Sequence, residues 1–174
     1  MATRYLHATS GDPAGSTGSH ASTHLDTATD ELKFEFGGTV HTVATKTAKV
    51  ETVTATNVLT ASESGKTIYL SAAAGFVTTL PAAAAGLEFD FIVKTAPTSN
   101  GYTITADPAD SIYGTVAANG AEDTVNGVTA AGADNVILVA NVALKGDRVK
   151  FQSDGTDWFV SGGVNTFAAI TANG

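Results

Sequence analysis

The chain has 174 residues, no cysteine and a formal charge of −8, and 43% of its residues are hydrophobic. Those figures exclude disulfides, thiolate chemistry and cysteine-type zinc sites, and the absence of clustered Lys and Arg argues against a nucleic-acid partner. No stretch approaches the roughly 18 to 20 apolar residues of a membrane span, and Met1-Ala2-Thr3-Arg4-Tyr5 begins no signal-peptide run, so the expectation is synthesis in a cytoplasm with no membrane partner.

In chain order, residues 7–24, HATSGDPAGSTGSHASTH, hold no large apolar side chain and are expected to be extended or disordered on their own. ELKFEFGGTVHTVAT follows, with Leu32, Phe34 and Phe36 alternating with Lys33 and Glu35. Gly37-Gly38 then leads into Thr39-Val40, which predicts a small hairpin whose apolar face needs a partner. From about Lys46 onward short strands succeed one another: Val50 to Thr56, Thr67 to Ser71, Phe76 to Leu80, and a period-2 run from Leu87 to Val93 broken only by Ile92. Further strands are expected over Tyr102 to Ala106 and Ile112 to Val116, with a glycine-punctuated stretch near Asn126-Gly127. Val136 to Val139 is continuously apolar and reads as buried on both faces. Val149 and Phe151, a turn at Ser153 to Thr156, and Trp158-Phe159-Val160 form the clearest hairpin. The alanine runs Ala72 to Ala74 and Ala82 to Ala85 are too closely bounded by Gly and Pro for helices, and they read as loops. The fold class is therefore all-β, an antiparallel sandwich or barrel of jelly-roll type over residues 46–174. Residues 1–45 form an extended N-terminal arm with a small β-hairpin.

Few residues make a chemical claim. Gly65-Lys66-Thr67 has the form of the end of a phosphate-binding loop, but Thr60 stands where such a loop has its first glycine, and Thr67-Ile68-Tyr69-Leu70 reads as a strand where a helix is required. His7, His20, His24 and His41 all lie in the N-terminal quarter; His20 and His24 have a metal-ligand spacing, but in a Ser/Thr-rich segment without helical character. Asp107 with Asp110 and Asp154 with Asp157 read as turn carboxylates, since they lack the oxygen-ligand run of a calcium loop. Glu51, Glu63, Glu88 and Glu122 are the carboxylates available for glycoside chemistry, and their neighbours read as solvent-facing. Tyr69, Tyr102, Tyr113 and Trp158 are possible sugar-stacking aromatics, though strand aromatics belong more often to cores or interfaces. No cofactor is expected and no enzyme activity.

Residues 64–105 together with 139–162 resemble a family of tailed-phage head decoration (capsid cement) proteins, with relatives among tail-fibre β-modules. The resemblance rests on Gly65-Lys66, Gly75-Phe76, Thr79-Leu80-Pro81, Phe91-Ile92-Val93-Lys94, Gly146-Asp147-Arg148-Val149, Ser153-Asp154-Gly155-Thr156 and Trp158. One departure is Thr78, a polar residue between the apolar ends of its strand, which leaves one core position open. The resemblance implies a structural virion protein made in the host cytoplasm, seated as a homotrimer on the major capsid protein at the outer head surface; the alternative is a tail-fibre or receptor-binding module for host glycan. It makes Arg4, Tyr5, His7, His20 and His24 capsid-contact candidates, and Leu32, Phe34, Phe36, Val40 and Trp158 subunit-interface candidates.

Overall fold

The structure, a computed structural model, describes residues 22–26, 31–36, 39–45, 49–118 and 126–174, with side chains for 49–118 and 132–174. The chain divides into two compact units, Met1–Ala48 and Lys49–Gly174.

In the first unit β1 (Ser22–Asp26), β2 (Glu31–Phe36) and β3 (Thr39–Thr45) form an antiparallel sheet in that order. Phe36 pairs with Thr39, so the hairpin is present; Gly37 and Gly38 themselves lie outside the described residues. The hairpin is extended by a third strand. Ser22 to His24, expected to be unstructured, pair with Glu35 to Lys33 because Leu25 falls opposite Leu32 and carries the apolar positions onto another strand.

The second unit is an all-β sandwich. Its strands are β4 (Val50–Val53), β5 (Asn57–Val58), β6 (Thr67–Leu70), β7 (Phe76–Thr79), β8 (Glu88–Val93), β9 (Tyr102–Thr105), β10 (Ile112–Ala118), β11 (Asn126–Ala133), β12 (Asn135–Leu138), β13 (Arg148–Ser153), β14 (Trp158–Val164) and β15 (Ile170–Asn173). One sheet has the order β11-β10-β14-β13-β8-β6-β4 and the other β15-β12-β9-β7-β5. From β4 to β9 the chain crosses to the opposite sheet after every strand. As a result β4, β6 and β8 run parallel in one layer, and β5, β7 and β9 run parallel in the other. The antiparallel jelly-roll connectivity expected from the sequence is thus corrected to mixed sheets: turns of a few residues carry the chain across the sandwich, and each later strand meets its predecessor in the same direction. Antiparallel pairs β13–β14, β8–β13, β9–β12 and β12–β15 complete the layers, and β10 lies parallel to β14.

Alternation fills the space between the sheets. In one layer Phe76, Tyr102, Leu138 and Ile170 stand in register across four strands, with Thr78, Ile104, Val136 and Ala172 as the next row. The other layer contributes Phe89, Phe151 and Val160 in one row and Phe91 and Val149 in another. Burying each large side chain contributes about 1.5–3 kcal/mol. The rings meet edge to face, Phe76 on Tyr102 at 4.9 Å and Phe91 on Phe151 at 5.7 Å. The open core position is occupied by Thr78 itself, 1% exposed, whose hydroxyl donates to Asn57 Oδ1 at 2.7 Å. Satisfying the hydroxyl at the sandwich edge is what lets a polar residue take a core site. Tyr102 is likewise buried with its hydroxyl engaged by Ala72 N–H and within 2.7 Å of Thr95 O, and burial holds its phenol above the ordinary value.

Val136 to Val139 departs from expectation. Val136 and Leu138 are fully buried but Ile137 is only half-buried, because nothing among the described residues packs a second layer over that face. Gly75, at φ +67°, makes the turn into β7 where a Cβ would lie 2.1 Å from Asn100 O.

Candidate functional site

Gly65 turns the chain at φ +86° into β6, after a short 3-10 turn over Ala61–Glu63. Lys66 is committed to carboxylates: its Nζ lies 2.8 Å from Glu51 Oε2 and 3.0 Å from Glu63 Oε1. The hydrogen bond to Glu51 is the main force raising the Lys66 ammonium above its ordinary value, against the opposing effect of burial. For Glu63 burial pushes the carboxyl upward, but hydrogen bonds from Thr60 and Lys66 outweigh it and hold it low. A lysine neutralised by two carboxylates and followed by a strand gives no phosphate cradle.

The outer face of the seven-stranded sheet brings together Glu88, Asp90, Arg148 and Lys150 with the aromatic rings of Tyr113 and Phe159. Strand register sets them in rows. Glu88, Gln152, Phe159 and Tyr113 are successive partners across β8, β13, β14 and β10, and Asp90, Lys150, Ser161 and Thr115 form the next row. Ion pairs run diagonally between rows, Lys150 to Glu88 at 2.8 Å and Arg148 to Asp90. The Lys150 ammonium, through its hydrogen bond and charge, holds the Glu88 carboxyl below the ordinary range. These half-exposed pairs contribute little to stability, about 0–1 kcal/mol each. Tyr113 and Phe159 lie side by side, centroids 6.3 Å apart and planes at 33°.

No protein-family model matches the chain, and no curated protein matches it.

Of the residues singled out by sequence, Arg4, Tyr5, His7 and His20 lie outside the described residues, as does Glu122. His24 sits on β1 paired with Lys33. Leu32, Phe34 and Phe36 keep their alternation on β2, whereas Val40 pairs with Glu35 and so takes the other set of positions. Trp158 as a subunit-interface residue is corrected: it is 0% exposed within a single chain, 5.9 Å from Phe89, and so belongs to the core and not to a subunit surface. Tyr102 and Trp158 are for the same reason unavailable as sugar platforms, while Tyr113 faces outward.

The turn carboxylates do backbone work. Asp110 Oδ2 accepts from Ala83 N–H at 2.7 Å, and Asp107 Oδ1 accepts from Ala109 N–H. Asp154 Oδ1 accepts from Thr156 and Asp157 N–H, bonds that hold its carboxyl below the ordinary value. Asp147, 4% exposed, carries no sequence signal beyond its place in Gly146-Asp147-Arg148-Val149. Its two oxygens accept from Leu144 N–H at 2.9 Å and Asn165 N–H at 2.7 Å, tying the loops that flank β13 and β14. In sequence Phe159 is simply one residue of a hairpin strand; its outward position follows from alternation once Trp158 is placed inward. Among the described residues no cluster of His, Asp or Glu could hold a metal ion, and no helix is long and apolar enough to cross a membrane.

Proposed function

We propose that this protein is a structural component of a tailed-phage particle, a decoration or cement protein that assembles as a homotrimer on the major capsid protein and reinforces the shell from outside. The observation that supports it best is the use made of the residues carrying the family resemblance. Segments 64–105 and 139–162 supply β6 to β9, most of β14 and all of β13 in one sandwich, and their motif residues serve the fold: Gly65 and Gly75 make turns, Asp147 ties two loops, Asp154 closes a turn and Trp158 fills the core. Motifs committed to rigidity suit a mechanical part.

The rest of the chain fits the same role. A charge of −8 keeps copies apart and soluble at high concentration before assembly. A three-stranded sheet as small as β1–β3, with Leu32, Phe34 and Phe36 on alternate positions of its central strand, gains most from packing against other copies. The arm before it, with Arg4, Tyr5, His7 and His20, together with His24 on β1, is the proposed capsid contact, at the outer head surface of particles assembled in the host cytoplasm.

The test is addition to purified undecorated heads. The full chain is expected to bind at high copy number, and a variant lacking residues 1–30 is expected to keep its sandwich by circular dichroism but fail to add. Binding to tails at low copy number, with none on heads, would replace this reading with the tail-fibre one.

A further inference from the structure

We propose that the outer face of the five-stranded sheet is the surface on which copies of this chain meet, turned toward the three-fold axis of the homotrimer. This rests on the homotrimer reading and adds to it the face through which the sandwiches associate.

The face carries no charge along its strands. Val77, Thr103, Ile137 and Thr171 are register partners across β7, β9, β12 and β15, and all four point away from the core. The next outward row holds only threonine and asparagine, with Val58 beside it on β5. Val58 is 69% exposed and Val77 38%, and Ile137 is half-buried. No outward position of these five strands is ionisable, in a chain with a formal charge of −8. Asp107 and Asp134 stand beyond the ends of β9 and β12, at the rim. The other sheet is built the opposite way, with Glu88, Asp90, Arg148 and Lys150 on the outer face of its central strands β8 and β13.

That neutrality identifies the occupant. Around a rotation axis each side chain approaches the same side chain of its neighbours, so a charged residue there meets its like and is destabilising. The seven-stranded sheet, turned to the axis, would set copies of Glu88, Asp90, Arg148 and Lys150 against themselves. The five-stranded sheet brings no such pair together. Its threonine hydroxyls and asparagine amides both donate and accept, so each can bond its own copy, while Val58, Val77 and Ile137 gain burial. Valine, isoleucine and threonine are stiff at χ1, so little side-chain freedom is lost when they are covered. A foreign partner of an acidic chain is steered and selected by opposite charge, and this face has no charge to select by. Identical copies are the partner it fits.

The experiment is sedimentation equilibrium of the full chain across the micromolar range, on the parent and on Val77→Glu, Thr103→Glu and Thr103→Lys, with Thr115→Glu on the other sheet's outer face as the control. The parent and Thr115→Glu are expected at three times the chain mass. Each variant of the five-stranded face should associate about tenfold or more weakly, with its far-UV circular dichroism retained. Val77 is already partly in solvent, so Val77→Glu keeps the test available if Thr103→Glu does not fold. An equimolar mixture of Thr103→Glu and Thr103→Lys should associate better than either alone, a gain that mere damage to the sheet would not produce. A trimeric parent whose folded face variants are also trimeric would overturn the proposal and leave the homotrimer standing on other contacts. Equal weakening in Thr115→Glu, or no gain on mixing, would also overturn it. A parent of any other mass would remove the homotrimer and this face together.

Discussion

Replacing Trp158 with alanine removes the largest fully buried side chain of the sandwich. Large-to-alanine truncations at such sites cost about 3–5 kcal/mol, from lost transfer energy and the cavity left behind. One contribution has the opposite sign. The indole Nε1 is buried without a hydrogen-bond partner among the described residues, and an unsatisfied buried donor costs about 1–3 kcal/mol that truncation relieves. At the middle of both ranges the net loss is about 2 kcal/mol, which lowers the melting temperature of a chain this size by roughly 4–8 °C. Trp158→Phe keeps a ring against Phe89 and deletes the N–H, so it should stay within about 1 kcal/mol of the parent. Far-UV circular dichroism melts of the full chain, paired with urea titrations, measure both variants. An alanine variant melting within about 2 °C of the parent would show that the ring is not part of the core. A phenylalanine variant as damaged as the alanine one would show that the N–H has a partner.

Gly75→Ala should cost about 2 kcal/mol or more, because the left-handed backbone and the approach to Asn100 O both oppose a Cβ; a melt unchanged from the parent would refute the close approach. Acid should loosen the sandwich. Glu63, Glu88 and Asp154 have lowered folded values, so their modest contribution is in place above the ordinary glutamate value of 4.5 and is lost as the pH falls through those folded values. Lys66 has the opposite sign: its contribution is complete below 10.5 and disappears as the pH rises through its raised folded value, so Lys66→Met should flatten the alkaline side of a stability–pH profile. Sedimentation equilibrium across the micromolar range should return three times the chain mass, and a concentration-independent monomer would remove the homotrimer.

The strands were legible wherever alternation met a sharp turn. Glu88 to Val93 and the pair Arg148–Ser153 with Trp158–Val164 stand close to where the period-2 pattern puts them. Strand direction was not legible, because a residue pattern of period 2 is the same whether the neighbour runs parallel or antiparallel. Ile170–Asn173 is a strand built from one large apolar residue among Thr, Ala and Asn; only pairing with β12 makes it one. The candidate surface was hidden for a related reason. Trp158 and Phe159 are adjacent aromatics, and alternation says that one faces inward without saying which. Size favours the indole for the core, but the deciding fact is the register with Ile112 and Tyr113 on β10.

The position of β14 also governs when the molecule can be finished. It lies between β10 and β13, so the strand closest to the C-terminus in that sheet joins two sections that do not otherwise touch: β10 with β11 on one side, and β13, β8, β6 and β4 on the other. The wound segment from β4 to β9 can form as it emerges from the ribosome, each strand adding to one made about 17 to 26 residues earlier. Residues 112–118 must wait for residues 158–164 before they gain their parallel neighbour. Until then the open sides of β10 and β13 present unpaired backbone, the arrangement that invites pairing with other chains. Nascent copies translated side by side on one message are therefore most vulnerable to cross-pairing in the interval between these two segments, and slowing synthesis there should raise aggregation more than slowing it anywhere within β4 to β9.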